Sequence, residues 1–175
     1  MPECFKDLNI KFQKVVGIKN CITEKKEIEK YLEDWRGQIK GDTPLIVLPE
    51  SVDHVMEIVS LCNKNNVAIT TQGGNTSLCG ANLPLSKGER IEIVINTSKL
   101  NKIIDIDLYN RSIIVESGCI LQTIQEAASA NDLLFPLSLS AEGSCQIGGN
   151  ISTNAGGVNV LKYGMARDQV MGIEV

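Results

Sequence analysis

The chain has almost no histidine: His54 is the only one in 175 residues. Its six cysteines, Cys4, Cys21, Cys62, Cys79, Cys119 and Cys145, form no CxxC pair. Zinc sites draw on clustered Cys and His, so this pattern argues against one. There is no dense Lys/Arg block, and the net charge is -4. That argues against nucleic acid or an anionic membrane as partner. No apolar run approaches the roughly 20 residues of a membrane span. The opening MPECFKDLNIKF lacks the apolar core of a secretion signal. Without such a signal an even cysteine count does not imply disulfides, and the thiols read as reduced and mostly packed, in a cytoplasmic protein. At 43% hydrophobic residues, the chain can bury a sizeable core.

Charge is also missing locally. Nothing from Asn65 to Ser86 is Asp, Glu, Lys, Arg or His. This run contains TTQGGNTSLCGAN, residues 70–82, which is too polar for a core strand and has no ion pairs for a surface helix. A second uncharged, glycine-rich run, GSCQIGGNISTNAGGVNVL, covers 143–161. Glycine permits close approach to the backbone and tolerates φ > 0. Successive N–H groups can then form an anion nest without any Lys or Arg. Asn75, Thr76 and Ser77, then Ser144, Asn150, Thr153 and Asn154, add side-chain donors. Neither run is GxxxxGK[ST], nor a GxGxxG between a first strand and a helix, which disfavours a P-loop kinase and a Rossmann dehydrogenase. One such loop alone reads as a turn. Two, far apart in sequence, read as holders of one large, flat, polar ligand such as a dinucleotide.

Phe5, Leu8, Phe12, Val15 and Val16 predict a helix over 3–16. Thr23 is a candidate N-cap for a helix bearing Ile28, Tyr31, Leu32 and Trp35 and stopped by Gly37. LIVL, 45–48, predicts a buried strand. Ser51 caps the next helix, whose apolar face is Val52, Val55, Met56, Val59 and Cys62. VAIT, 67–70, leads into the first loop, which completes a βαβ unit with an anion-binding type of loop after its second strand. IEIVIN, 91–96, predicts a third strand, and KIIDID and SIIVES a hairpin around 108–111. Residues 120–131 predict a helix, and the stretch around Pro136 is irregular. The sequence ends in DQVMGIEV, an apolar, strand-like run, which reads as a piece of a longer chain.

TQGGNTSLCGAN, followed later by PLSLSAEGSCQIGGNISTNAGGVNVLKYGMARDQVMGIEV, resembles the FAD-binding domain of the vanillyl-alcohol-oxidase/p-cresol-methylhydroxylase superfamily. Within it, the chain is most similar to the FAD-linked D-2-hydroxyacid dehydrogenases. That branch includes D-2-hydroxyglutarate and D-lactate dehydrogenases and the D subunit of glycolate oxidase. The resemblance runs from about Trp35 to Val175, with DWRG and TPLIVLPESVDHVMEIV as its lead-in. It implies an α+β, PCMH-type FAD-binding domain of two α/β subdomains, a small βαβ-type one and a larger mixed sheet, truncated at the C-terminus. Residues 1–40 would be a helical lead-in and 41–175 the incomplete FAD-binding domain.

The resemblance also implies a function: oxidation of a D-2-hydroxy acid (D-lactate, glycolate or D-2-hydroxyglutarate) to the 2-oxo acid. The electron acceptor is unassigned and a homodimer is left open. It implies that Gly73, Gly74, Asn75, Thr76 and Ser77, with Gln72 beside them, hold the FAD pyrophosphate. Pro136, Gly143, Ser144, Gly148, Gly149, Asn150, Thr153, Asn154 and Gly157 would line the flavin and ribityl region, and the Ile173 backbone would face the adenine end. Ser77 and Ser140 stand where the family often has Gly, and Glu142 where it often has Lys, which puts a negative charge near the cofactor. Some members attach FAD through a loop histidine. Neither loop has one, so non-covalent FAD is expected. The alternatives are an electron-transfer FAD module like those of molybdenum hydroxylases, and a fragment without flavin.

Singly, His54 reads as a surface histidine near the start of a helix. Cys79 and Cys145 read as packing thiols, because no Lys, Arg or His adjoins either. Arg36, Arg167 and Asp168 read as surface or inter-segment charges. No motif supplies a carboxylate clamp, a metal site or a general base, so no catalytic residue and no metal ligand is assigned. The resemblance places those groups beyond Val175.

Overall fold

A computed structural model of the chain describes residues 3–85 and 90–175. Ser86, the end of the uncharged run, and the side chain of Cys4 lie outside the described residues. The chain divides into two compact units, Met1–Lys99 and Leu100–Val175.

Unit 1 begins with α1 (Glu3–Val16), as its periodicity predicts. Its apolar side, Phe5, Leu8, Phe12 and Val16, is wholly buried, so the proposed lead-in supplies part of this unit's core. β1 (Cys21–Ile22) pairs antiparallel with β2 (Ile46–Val47). Between them the predicted helix is cut short: α2 spans Lys25–Ile28 and passes into one 3-10 turn, Glu29–Tyr31. Its N-cap is Glu24, not Thr23, and Trp35 is 72% exposed rather than packed. The reason is Asp34. Its buried carboxylate accepts the backbone N–H groups of Ile39 (2.5 Å), Gln38 (2.7 Å) and Arg36 (3.1 Å). These bonds close residues 34–39 into a loop, in competition with helical pairing, and Gly37 adopts φ +66 within it.

The Ile39 N–H, with those of Arg36 and Gln38, holds the Asp34 carboxyl below its ordinary pKa. A depressed folded-state pKa gives stability that is present above the unfolded value of about 3.9 and is lost as pH falls through the folded value. Asp34→Asn is therefore expected to lower Tm at neutral pH and to flatten the acid limb of the profile below about pH 4. Parallel losses in wild type and variant across a series of melts from pH 5 to 2.5 would count against this role.

After β2 come α3 (Val52–Lys64), β3 (Ala68–Gln72) and β4 (Glu92–Asn96). Strand order is β1-β2-β4-β3, with β4 parallel to both of its neighbours. Leu45, Val47, Ile93 and Ile95 pack with α1 and α3, while Ile46 and Val94 pack with Ile28 and Leu32. With both faces covered, β2 and most of β4 read as apolar runs, whereas β3 (AITTQ) is only partly buried. Ser51 Oγ accepts the His54 N–H at 3.2 Å, the predicted cap. The predicted face of α3 is corrected. Val52, Met56 and Val59 are exposed, and the buried side is Ile58 and Cys62, flanked by Leu61. The helix carries two apolar stripes, and packing within the α1 cluster selects one that counting alone could not rank.

Unit 2 opens with a hairpin, β5 (Ile103–Asp107) and β6 (Ser112–Val115), as predicted. Asp107 accepts the N–H groups of Tyr109 and Asn110 in its turn, and Arg111 takes φ +53. α4 (Leu121–Ser129) follows, then an irregular stretch through Pro136. The second glycine-rich run is not a loop throughout. It contains α5 (Ile147–Ser152) and the start of α6 (Val160–Tyr163). One core cluster holds Leu121, Leu137, Cys145 and Ala166, another Cys119, Ile124 and Ile147. The strand expected at the end does not form. Residues 170–175 pair with no described strand, and Met171 and Ile173 are exposed. Without a ladder partner an apolar extended run gains no strand bonding.

Candidate functional site

The first glycine-rich loop starts where β3 is still paired, at Gln72 opposite Asn96. Gln72 is 0% exposed. Its Nε2 donates to the carbonyls of Tyr31 (2.8 Å) and Asn82 (3.1 Å), and its Oε1 accepts from Asn96 Nδ2 (3.3 Å). That Asn96 amide also donates to the Gly73 carbonyl at 3.1 Å. The Gln72 side chain is thus committed inside the unit. Its side-chain amide, expected among the cofactor contacts, is engaged with internal partners.

Asn75 is the left-handed residue of the loop, at φ +53; Gly73 and Gly74 do not take positive φ. Its Nδ2 donates to the Glu33 carbonyl (2.9 Å), and its Oδ1 accepts from Asn82 Nδ2 (2.5 Å). What Asn75 can offer a ligand is therefore its backbone, not its amide. The backbone N–H groups of Gly74, Asn75, Thr76 and Ser77 donate to no other described residue. Gly80 (φ +69) lies so close to Ile39 that a Cβ would meet its Cδ1 at 2.8 Å. That approach seats the loop against the Asp34 turn. Neutral backbone donors, within a run free of acidic side chains, fit a diphosphate.

Cys79 is exposed, not packed as expected. Ser77 Oγ accepts its N–H at 3.3 Å and lies 3.4 Å from its Sγ. The Ser77 hydroxyl, then the Ala81 backbone, holds the thiol below its usual pKa. No basic neighbour was needed, so the basic-neighbour rule missed it. Burial instead pushes Cys21 and Cys62 up to about 11. Cys119 and Cys145 are also buried and raised by desolvation.

In unit 2 most of the expected contacts have internal tasks. A Cβ on Gly148 would meet Ser117 Cβ at 2.8 Å, so packing of α5 requires that glycine. Gly157 (φ +86) passes against the Ser138 carbonyl. The buried Pro136 accepts at its carbonyl from Asn159 Nδ2 (3.0 Å). Thr153 Oγ1 donates to the Gly149 carbonyl, Asn154 Oδ1 accepts the Arg167 N–H, and Ser144 Oγ donates to the Ala141 carbonyl. A Cβ on Gly143 would meet Gln122 Oε1 at 3.1 Å. The Glu142 charge is received by Gln125 Nε2 (3.2 Å) and Ser138 Oγ (3.4 Å).

Two residues stand apart. Gly149 has open space where a Cβ would go, and Asn150, 6% exposed, has an Oδ1 with no partner among the described residues. An unpaired buried acceptor is unfavourable by about 1–3 kcal/mol. This pair fits a group that brings a donor. Ile173 lies in the exposed terminal segment. No cluster of metal-ligating side chains exists among the described residues, and no described helix is long and apolar enough to cross a membrane.

Residues 43–175 match the family model described as "FAD binding domain". D-2-hydroxyglutarate dehydrogenase, mitochondrial, of Arabidopsis thaliana is 36% identical over 93% of this chain, which spans 28% of that protein. The zebrafish protein of the same name is 37% identical over 81% of the chain, with 26% of its own length matched. D-2-hydroxyglutarate–pyruvate transhydrogenase of Saccharomyces cerevisiae is 37% identical over 85% of the chain and matched over 29% of its length. The chain thus spans under a third of these relatives. Among solved structures, an alkyldihydroxyacetonephosphate synthase superposes with a TM-score of 0.84 at 23% identity, over 93% of this chain and 32% of its own. A p-cresol methylhydroxylase superposes at 0.70 with 23% identity, over 90% of this chain and 30% of its own. These two show the fold alone. The expected cytoplasmic location is corrected, because the plant, zebrafish, bovine and rat relatives are all named as mitochondrial. Composition bears on redox state and solubility, and a thiol pattern does not distinguish one reducing compartment from another.

Proposed function

We propose, for a chain that belongs to the FAD binding domain family, that it is the FAD-binding part of a dehydrogenase oxidising a D-2-hydroxy acid to its 2-oxo acid, with D-2-hydroxyglutarate the first substrate to try. The observation that carries it is the 73–77 loop, whose outward donors are backbone N–H groups and whose side-chain amide is turned to internal partners. Such a loop receives a diphosphate by fixed dipoles, not by a mobile cation. On this reading Gly73, Gly74, Asn75, Thr76 and Ser77 hold the pyrophosphate through backbone and hydroxyls. Within unit 2 taken by itself, Gly149, with open space at its Cβ position, and the unpaired Asn150 Oδ1 suit a donor-bearing ligand group. FAD supplies the hydride acceptor when bound; the protein supplies position and electrostatics. With no histidine in either loop, FAD is held without a covalent bond.

The family's carboxylate clamp and base would come from sequence outside residues 1–175. Hydride transfer needs the donor carbon held about 3–3.5 Å from its acceptor. The full-length protein is expected to be yellow, to release its flavin into the supernatant on acid precipitation, and to reduce a dye with at least one of D-2-hydroxyglutarate, D-lactate or glycolate. Residues 1–175 alone are expected to turn over none of them. A colourless full-length protein that takes up no FAD would sink the proposal. Flavin left in the pellet would sink its non-covalent part, and comparable kcat/KM for both polypeptides would put the missing groups within 1–175.

A further inference from the structure

We propose that Asn82 is a positioning residue for the cofactor loop, acting through Asn75 and without touching the ligand. The inference rests on the reading of 73–77 as the diphosphate site. A residue with a Cβ takes a left-handed conformation at some cost, asparagine at less than most, and holds one such conformation firmly where its surroundings fix the side chain. Asn75, at φ +53, is fixed at both ends of its amide: Nδ2 on the Glu33 carbonyl at 2.9 Å, Oδ1 on Asn82 Nδ2 at 2.5 Å. Asn82 is itself anchored, because its carbonyl accepts from Gln72 Nε2 at 3.1 Å. Gln72 is buried on β3 and bonded to Tyr31 and to Asn96 of β4. An unbroken series of amide-to-carbonyl and amide-to-amide bonds thus joins two sheet strands to the turn of the loop.

Asn82 Oδ1 is buried and has no partner among the described residues. Burying an acceptor unpaired works against folding. It is tolerated while the other end of the same amide holds Asn75. That points to a demand on loop conformation, not on stability. With the Asn75 side chain held inside, the N–H groups of Gly74 to Ser77 stay available to an anion. A loop released from this tie must be ordered by the ligand itself, and affinity falls accordingly.

The test uses full-length apo-protein and FAD, with Kd read from quenching of flavin fluorescence and apo Tm from a thermal melt. Asn82→Ala is expected to raise Kd about tenfold with little change in apo Tm. Asn75→Gly, which accepts φ +53 but loses both side-chain bonds, is expected to raise it similarly. In the Asn75→Gly background, Asn82→Ala should add less than about twofold, since its partner is gone. Wild type that binds FAD while Asn82→Ala stays within twofold of it would overturn this inference alone, as would effects that multiply fully in the double variant. Wild type that takes up no FAD would overturn the reading of the loop and this inference with it. Should Asn82→Ala not fold, an unchanged Kd in Asn75→Gly overturns the inference and a raised one supports it.

Discussion

Gly157→Ala is expected to cost unit 2 about 2–4 kcal/mol, the sum of left-handed strain and overpacking. A Cβ built on Gly157 would lie 2.1 Å from the Ser138 carbonyl oxygen, and the residue sits at φ +86. That carbonyl also accepts the Val158 N–H, so it cannot withdraw without breaking a backbone bond. The neighbouring Pro136 carbonyl is held by Asn159. The 136–139 and 157–159 segments are therefore fastened at two places, with no slack for a methyl group. A melt of the full-length protein should show Tm reduced by roughly 5–15 °C. The control is Gly149→Ala, where a Cβ would meet nothing within 4 Å. It should fold like wild type, gaining at most about 1 kcal/mol from the higher helix propensity of alanine. Equal melts for Gly157→Ala and Gly149→Ala would show that the Ser138 approach is not a constraint.

Gly74→Val is expected to weaken FAD binding by at least about 100-fold, the loss of one or two charge-assisted bonds from backbone N–H to phosphate oxygen. On the proposed reading of the loop, the cause is added bulk beside the pyrophosphate. Gly74 is not left-handed, so strain contributes nothing here and the apo fold should be little affected. The expected signature is a large rise in Kd beside an apo Tm within a few degrees of wild type. An unchanged Kd by flavin-fluorescence titration would remove this loop from the site. A collapse of Tm would instead make Gly74 a packing glycine.

What was legible in the sequence was local. α1 follows from its apolar spacing, the Ser51 cap from one hydroxyl three residues before the N–H it receives, and the hairpin from two β-branched runs around a polar turn. What was not legible depends on partners distant in sequence or on choices between near-equal patterns. Asp34 ends a helix by bonding N–H groups up to five residues on, which the apolar positions Leu32 and Trp35 do not reveal. On α3, Val52, Met56 and Val59 spell as good a stripe as Ile58 and Cys62, and only α1 decides between them.

The candidate site shows the same division. Glycines and donors singled out the loop after β3, but spacing could not tell that Gln72 and the Asn75 amide bond to internal partners, or that Asn82 ties them. Nor could it tell that Gly148 and Gly157 answer to Ser117 and Ser138. The uncharged run 65–86 did carry a signal for Asn82: an amide with no charged neighbour in such a stretch has few partners besides other amides and carbonyls.

The placement of α1 bears on how the protein comes off the ribosome. Every member of the two buried clusters of unit 1 lies between Phe5 and Ile95. Among the described residues, all four of its strands have been made once Asn96 is added. At about 5–20 residues per second of synthesis, this part can close within seconds, while the rest is still being translated. The buried amides beneath the loop belong to the same segment. The nascent chain thus has the 73–77 loop and the amides that tie it in place before Asn150 has been made.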